Sequence, residues 1–225
     1  MKRLSRSSRY AALFGAAMSL SLTASAASFT NGSFENPGIV NNGSFLAVTT
    51  PGQAPTGWVG GALNGVALFY EKTGAFGDVV AKDGFYLVGF GGSGASGATL
   101  SQTFDTVAGD TYTVDFFITA QQVGSGPQSF RLDALNGNSV TNSVSGDIPA
   151  KAEWKPHSLS FIAGAASSTI RFTDTSNGGA AVGINWALDN VSVTSVSSVP
   201  EPESWALLLA GMGLIGALRR RAAKA

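Results

Sequence analysis

Apolar and polar residues alternate through most of the chain between residues 27 and 196. In the segment 112–118, Tyr112, Val114, Phe116 and Ile118 share one face of an extended backbone, because successive side chains of a strand point to opposite sides. Shorter segments repeat the pattern: Phe130, Leu132 and Ala134; Leu159 and Phe161; Ile170 and Phe172; Val191 and Val193. This alternation predicts strands with one buried face.

Turn-forming residues separate these segments. They are Ala108-Gly109-Asp110, Asn136-Gly137 and Asn177-Gly178-Gly179, and Asn-Gly tolerates the positive φ of a tight hairpin turn. The pattern predicts roughly ten to twelve strands, no helix before residue 204, and no repeat of the length that a propeller or solenoid needs. We therefore predict an all-β protein with a jelly-roll-type β-sandwich.

The N-terminal segment, residues 1–26, has the composition of a secretory signal peptide. Lys2, Arg3, Arg6 and Arg9 precede an apolar stretch, and Ala24-Ser25-Ala26 supplies the small residues that a signal peptidase requires. The alternative is an N-terminal anchor that is retained. The sequence therefore divides into a signal peptide (1–26), a β-sandwich domain (27–197) and a C-terminal tail (198–225).

The tail combines a stiff acidic hinge, an apolar helix and a basic end. The hinge is Val199-Pro200-Glu201-Pro202-Glu203, Trp205 to Leu218 carry no charge, and Arg219, Arg220 and Arg221 follow. This apolar run is shorter than the ~20 residues that span a bilayer. Trp205 is suited to one membrane interface and the arginines to the other. The alternative is a buried helix of the folded domain.

The hinge, apolar run and basic end occur in the order of a PEP-CTERM sorting tail, which this segment resembles. The resemblance implies export, transient membrane retention and cleavage near Pro200-Glu201-Pro202 by an exosortase. It also implies a bacterium that makes an extracellular polysaccharide matrix.

The formal net charge is zero, but the charges are unevenly distributed. Eight of the 14 basic residues lie within residues 1–9 and 219–224, whereas 12 of the 14 acidic residues lie within 27–198. The predicted mature domain thus has 6 basic and 12 acidic groups, a net charge of about −6. This sign opposes phosphate binding, so we expect no nucleic-acid partner. The absence of cysteine excludes disulfides and thiol catalysis.

The chain shows no set of residues typical of a catalytic centre. Residues 92–97 satisfy the pattern G-x-G-x-x-G, but a predicted strand follows where a dinucleotide site needs a helix, so we predict a loop. His157 is the only histidine, and no G-x-S-x-G motif accompanies it. We predict a surface or edge histidine, and a protein that is not an enzyme.

Four motifs carry a second resemblance, to galactose-binding-like sandwiches that include carbohydrate-binding modules. They are 29–35 (FTNGSFE), 100–104 (LSQTF), 108–112 (AGDTY) and 187–193 (ALDNVSV). The resemblance implies a β-sandwich and a glycan ligand. If a glycan site exists, one ring among Trp58, Tyr70, Trp154 and Trp186 should face solvent, because sugars stack on aromatic faces.

Glu35 and Asp189 are candidate ligands of a structural calcium ion. Asp189 has the strand parity of Val191 and Val193, which predicts a carboxylate on the core side that needs compensating partners. Glu35 ends the first predicted strand, and first and last strands lie close together in the proposed fold. The resemblance points the same way, since many such sandwiches hold calcium beside their terminal strands. The competing interpretation is that Asp189 accepts backbone hydrogen bonds while Glu35 is solvated.

The sequence thus predicts an exported, non-enzymatic protein of the cell surface or extracellular matrix, associated with glycan, exopolysaccharide or biofilm. Its predicted partners are signal peptidase, an exosortase-like enzyme, the membrane through the C-terminal helix, and polysaccharide. The alternatives are a purely structural surface protein and a secreted hydrolase. The predicted localisation is membrane-anchored before processing and at the cell surface or in the matrix afterwards.

Overall fold

The structure is a computed structural model that describes residues 28–36, 44–62, 68–75, 79–91, 96–121, 128–148, 153–176, 186–196 and Met212. Within these residues the chain forms two antiparallel sheets and one 3₁₀ turn, Pro51–Gln53. The strands are β1 Phe45–Ala47, β2 Val59–Gly61, β3 Leu68–Lys72, β4 Tyr86–Phe90, β5 Thr99–Asp105, β6 Thr111–Ala120, β7 Gln128–Asn136, β8 Ser139–Ile148, β9 Lys155–Ile162, β10 Ser167–Asp174 and β11 Trp186–Val196.

The two sheets have six and five strands. The six-stranded sheet has the order β1-β3-β4-β11-β6-β9, and the five-stranded sheet has the order β2-β5-β10-β7-β8. All the observed pairings are antiparallel, as expected where strands alternate one buried and one outward face. The predicted all-β, two-sheet sandwich is therefore confirmed.

Aromatic and branched side chains of the two inner faces meet to form the core. Phe90 and Trp186 stack with ring centroids 4.1 Å apart, and Phe116 meets Phe172 edge-on at 5.1 Å. The alternating residues predicted from the sequence, including Val114, Leu132 and Ile170, point into this core. The predicted turns at Ala108-Gly109-Asp110 and Asn136-Gly137 are present, with Gly109 and Gly137 at positive φ.

The N-terminal segment 28–36 is not a strand, although its sequence predicts one. Asn31 and Phe34 have positive φ, so the backbone turns at Gly32-Ser33. The segment is held between the sheets by the Gln102 side chain, which accepts from Thr30 N at 2.8 Å and donates to Thr30 O at 3.0 Å. Gly32 O also accepts from Val191 N at 2.9 Å, which confirms that the two ends of the domain lie together.

The outer faces of the two sheets differ in burial. On the five-stranded sheet, strand β5 alternates buried and more exposed residues, as a solvent-facing sheet should. On the six-stranded sheet, residues of both faces are buried in β3 and β4. The outer face of the six-stranded sheet is therefore largely covered, and this is where the candidate site lies.

Residues 1–27 and the sorting tail, apart from Met212, lie outside the described residues, as do residues 92–95 and 177–185. The predicted signal peptide, the C-terminal helix and the Asn177-Gly178-Gly179 turn belong to these parts. Among the described residues, no helix has the length and apolar character to cross a membrane.

Candidate functional site

Cross-strand pairing brings residues of four strands into one row on the outer face of the six-stranded sheet. Phe69 pairs with Gly89, Gly89 with Ala187, and Ala187 with Thr119. Residues paired in an antiparallel sheet point to the same face, so these four positions lie side by side. The row has Phe69 at one end, Thr119 at the other, and a glycine near its middle.

Two polar side chains, Glu71 and Gln121, meet above that glycine. Glu71 projects from β3 on one side, and Gln121 follows the end of β6 on the other. A Cβ atom on Gly89 would collide with Glu71 Oε1 and lie only 2.7 Å from Gln121 Oε1. Glycine at position 89 therefore leaves the space that the carboxyl and amide groups occupy. We call Glu71, Gln121 and the neighbouring Thr119 the polar cluster.

The polar cluster is buried and incompletely hydrogen-bonded. Glu71 is 1 % exposed, Thr119 1 % and Gln121 6 %. In the described part of the chain, Glu71 Oε1, Gln121 Oε1 and Gln121 Nε2 have no hydrogen-bond partner. Burial raises the pKa of Glu71 to about 8, and the nearby Gln121 side chain offsets only part of this effect. At neutral pH Glu71 is thus a neutral carboxyl group that can donate as well as accept.

An aromatic pair lies beside the polar cluster. Phe45 of β1 is the cross-strand partner of Glu71, and its ring meets that of Phe69 edge-on at a centroid distance of 5.9 Å. Phe45 is 46 % exposed. The cluster therefore has a half-exposed apolar ring at its β1 side.

A loop between β3 and β4 crosses the outer face on its other side. We call residues 79–85 the outer loop. Val79 packs on Leu87 and Ala187, with Trp154 against the same group, and Trp154 Nε1 donates to Val80 O at 2.9 Å. Lys82 Nζ lies 4.6 Å from the centroid of the Phe117 ring. These contacts attach the loop to β4, β11, β6 and the residue before β9.

Asp189 anchors the middle of the outer loop. Its Oδ2 accepts from Lys82 N at 2.7 Å and Asp83 N at 3.0 Å, and its Oδ1 accepts from Asn190 N at 2.6 Å. The side chain is 0 % exposed. Burial raises the pKa of Asp189 to about 7, although the three N–H donors lower it in part.

The predicted core-side orientation of Asp189 is wrong. Asp189 pairs with Phe117 and Ser192 with Asp115, so the register shifts by one residue between them. Asn190, at φ 50°, is the extra residue of this β-bulge. The bulge reverses the parity, so Asp189 points to the outer face while Val191 points to the core. The Asp189 carboxylate needs compensating hydrogen bonds because the outer loop covers it.

Glu35 anchors the end of the same loop. Its Oε1 accepts from Phe85 N at 2.8 Å and Tyr86 N at 2.7 Å. Gly84 between the two anchors has φ 64°, and a Cβ atom there would collide with the Glu35 carboxylate. The predicted convergence of Glu35 and Asp189 thus takes the form of two carboxylates bound to one loop.

The arrangement of these two acids gives little support to a calcium site. Four backbone N–H groups of residues 82–86 point at the carboxylates, whereas calcium needs oxygen ligands in those directions. In the described part of the chain, no group of three or more Asp, Glu, His or Cys residues is placed to hold a metal ion. The hydrogen bonds account for the buried Asp189, and calcium binding by Glu35 and Asp189 stays a prediction.

Three of the four candidate sugar-stacking rings belong to the core. Trp58, Tyr70 and Trp186 are buried, and each has a hydrogen-bond acceptor: Asn31 O, Phe34 O and Asp174 Oδ1. Trp154 is the exception among the four, since it is half-buried on the outer face. His157 lies on the edge strand β9 as predicted, but its ring stacks on Phe116 and burial lowers its pKa.

Sequence reasoning did not single out Glu71 or Gln121. A signal was present, because Leu68-Phe69-Tyr70 and Tyr86-Leu87-Val88 are apolar at both parities. Near-continuous apolar strands are typical of sheets that are covered on both faces. A charged residue within such a strand, as Glu71 is, marks a candidate site.

Comparison with known proteins identifies the tail and the fold. Residues 198–221 match the PEP-CTERM protein-sorting motif, which confirms the resemblance read from Pro200, Glu201 and Pro202 and implies export and C-terminal processing. No curated protein sequence is significantly similar to the chain.

Solved structures with a similar fold include TmCBM61, which was determined in complex with β-1,4-galactotriose. Its sequence identity is 17 % and the TM-score is 0.52, and the match covers 75 % of this chain and 97 % of TmCBM61. The K1 cleaved adhesin domain of Lys-gingipain from Porphyromonas gingivalis W83 has 14 % identity and a TM-score of 0.51, covering 69 % and 100 %. A protein described as CBM4 has 17 % identity and a TM-score of 0.45, covering 75 % and 100 %. At such identities the likeness to the first two structures shows the sandwich fold.

Proposed function

We propose that the chain is an exported, surface-sorted glycan-binding protein without enzymatic activity, and that the polar cluster is its binding site. The sorting motif at 198–221 supports export, and the sandwich fold supports a binding module. The observation that carries the proposal is the pair of buried, incompletely bonded side chains, Glu71 and Gln121, on a sheet face.

Glycan chemistry suits this pair. A buried polar atom without a partner costs about 1–3 kcal/mol, so a ligand that supplies the missing hydrogen bonds gains from them. Each sugar hydroxyl both donates and accepts, as do the neutral Glu71 carboxyl and the Gln121 amide. The half-exposed Phe45 ring offers an apolar face for sugar C–H groups beside Glu71.

The second candidate function is hydrolysis, because a carboxyl group with a raised pKa is what a general acid requires. Its partner acid on the same face is Asp189, two strands away from Glu71. Three backbone N–H groups already bind the Asp189 oxygens, so this carboxylate is poorly placed to activate water. We therefore favour binding, and release of reducing sugar from a bound glycan would favour the hydrolase.

A glycan array with the full chain in mild detergent tests the proposal. We expect binding to at least one glycan, with an affinity at least tenfold lower for Glu71→Ala and for Gln121→Ala. Asp115→Ala is the matched control, since Asp115 is an exposed acid on the same sheet face. Binding that both variants retain would place the site elsewhere. A chain that binds no glycan would favour the purely structural surface protein.

A further inference from the structure

We infer that the polar cluster selects uncharged saccharides over uronic-acid saccharides, with Glu71 acting as a hydrogen-bond donor. This inference rests on the proposed glycan-binding function and names the class of ligand. The observations behind it are the charge inventory of the outer face, the hydrogen-bonding capacity of the cluster and the space above Gly89.

The elements packed around Glu71 present uncharged side chains. Phe45 faces it from β1, Leu87 and Gly89 from β4, and Gln121 from the end of β6. On β11 the neighbouring outer-face residue is Ala187. Along β3 itself, Lys72 follows Glu71 and has the opposite strand parity.

On the outer face, Asp189, Asp83 and Lys82 have other partners, whereas Asp115 on β6 is exposed to solvent. Asp189 on β11 binds the outer loop, and Asp83 of that loop accepts from Ser33 Oγ at 2.7 Å. Lys82 lies over the Phe117 ring, one strand beyond β11. No described basic side chain therefore faces the cluster to compensate a ligand carboxylate. The predicted mature domain, with 6 basic and 12 acidic groups, also repels anionic polysaccharide.

The cluster itself carries balanced donors and acceptors. The Gln121 amide has two N–H donors and one acceptor oxygen, and apart from its interaction with Glu71 neither kind of atom has a partner in the described part of the chain. Burial of Glu71 keeps its carboxyl protonated at neutral pH, which adds an O–H donor. Hydroxyl groups match this set, whereas a uronate would place a second carboxyl group, ionised and unpaired, beside Glu71.

Matched pairs of polysaccharides test the inference by affinity electrophoresis. The probes are β-1,4-galactan, β-glucan and mannan, each in its neutral form and after oxidation of the primary hydroxyl to a C6 carboxylate. We expect the neutral form of at least one polymer to retard the full chain at pH 6, and its oxidised form to do so at least tenfold less. Retardation should weaken above pH 8 as Glu71 ionises.

Substitutions separate the role of Glu71 from a structural one. Glu71→Gln keeps a neutral donor and acceptor, so we expect binding within about threefold of wild type and no loss above pH 8. Glu71→Ala should lower the binding affinity at least tenfold. The melting temperature of each variant is measured in parallel. Equal or stronger binding of the oxidised polymer, or Glu71→Gln binding as weakly as Glu71→Ala, would overturn the inference and leave glycan binding intact. If none of the six polymers retards the chain, both the inference and the proposed glycan-binding function would be overturned.

Discussion

Single residues on the outer face set the chemistry of the candidate site. Gly89 is the smallest of them, and its lack of a side chain lets the Glu71 and Gln121 head groups meet over the sheet. Glu71 is the titratable member, and its burial favours the protonated form. Substitution of Gly89 therefore tests the packing, and substitution of Glu71 tests the pH dependence.

Replacing Gly89 with alanine should destabilise the protein by about 1–3 kcal/mol, because the added methyl group overpacks a filled space. The collision is with Glu71 and Gln121, so the variant should also lose glycan binding. Gly52→Ala is the control, since a Cβ there meets nothing within 4 Å and should change stability by less than about 0.5 kcal/mol. Urea unfolding measures the stability of both variants. Equal urea midpoints for Gly89→Ala and Gly52→Ala would contradict the packing argument.

The free energy of unfolding should fall as the pH rises from about 5 to 9. Glu71 titrates near pH 4.3 in an unfolded chain but at about 8 when folded, so between these values the folded state binds more protons. Its stabilising contribution is complete below the unfolded pKa and is lost as the pH rises through the folded one. Asp189, with a pKa of about 7, acts in the same direction.

Glu71→Gln should therefore flatten this pH profile and leave the variant more stable than wild type at pH 9, by roughly 5 kcal/mol. Chemical denaturation at pH 5, 7 and 9 measures the slope. Glu153→Gln removes an exposed carboxylate and should leave the slope unchanged. A Glu71→Gln profile as steep as that of wild type would show that Glu71 is ionised at neutral pH in the folded protein.

At the scale of elements, the outer loop is the part of the structure most dependent on a few polar contacts. Carboxylates from β11 and from the N-terminal segment hold it by four backbone N–H groups. Asp189 is the buried member of the two, so its loss leaves donors without a nearby alternative acceptor. The loop should loosen before the sheet beneath it does.

Asp189→Ala should lower the free energy of unfolding by about 2–4 kcal/mol, since three backbone donors lose their acceptor. Hydrogen exchange of the Lys82 and Asp83 amides should accelerate more than exchange in β6. Asp115→Ala, which removes an exposed acid from the same face, is the control. Unchanged protection of Lys82 and Asp83 would refute the anchoring role.

Calcium and hydrogen bonding make different predictions for the same two acids. If Glu35 and Asp189 hold calcium, the melting temperature should rise with added calcium and fall with a chelator, by ion-linked mass action. Asp189→Ala should then abolish the response. A melting temperature unaffected by either addition would remove the calcium proposal and leave the hydrogen-bonded loop as the role of both residues.

At the scale of the whole molecule, the sorting motif at 198–221 implies export and C-terminal processing. The sequence predicts an extended hinge at Pro200 and Pro202, because proline disfavours a helix there, and an extended segment suits entry into a protease groove. We expect cleavage close to Pro200-Glu201-Pro202 in a host that has an exosortase, and an intact chain in one that lacks it. Intact mass of the surface product decides this, and a mature species that still contains Trp205 and Arg219 to Arg221 would exclude cleavage.

Local patterns in the sequence were sufficient for the fold class. Alternation within β6, β7 and β10 depends on neighbouring residues in the sequence. Tyr112, Val114, Phe116 and Ile118 could therefore be assigned to an inward face without knowing the partners of their strand. The hinge and basic end of the tail are likewise contiguous in sequence, and their order alone identified the motif at 198–221.

The candidate site depended on tertiary structure, because its members are distant in sequence and its geometry depends on register. Glu71 and Gln121 meet only when β3, β4, β11 and β6 pair so that Gly89 lies between them. The orientation of Asp189 depended on the bulge at Asn190, which reverses the strand parity that the sequence suggests. Local alternation determines which side chains share a face, whereas strand pairing determines which faces are covered and which distant polar groups meet there.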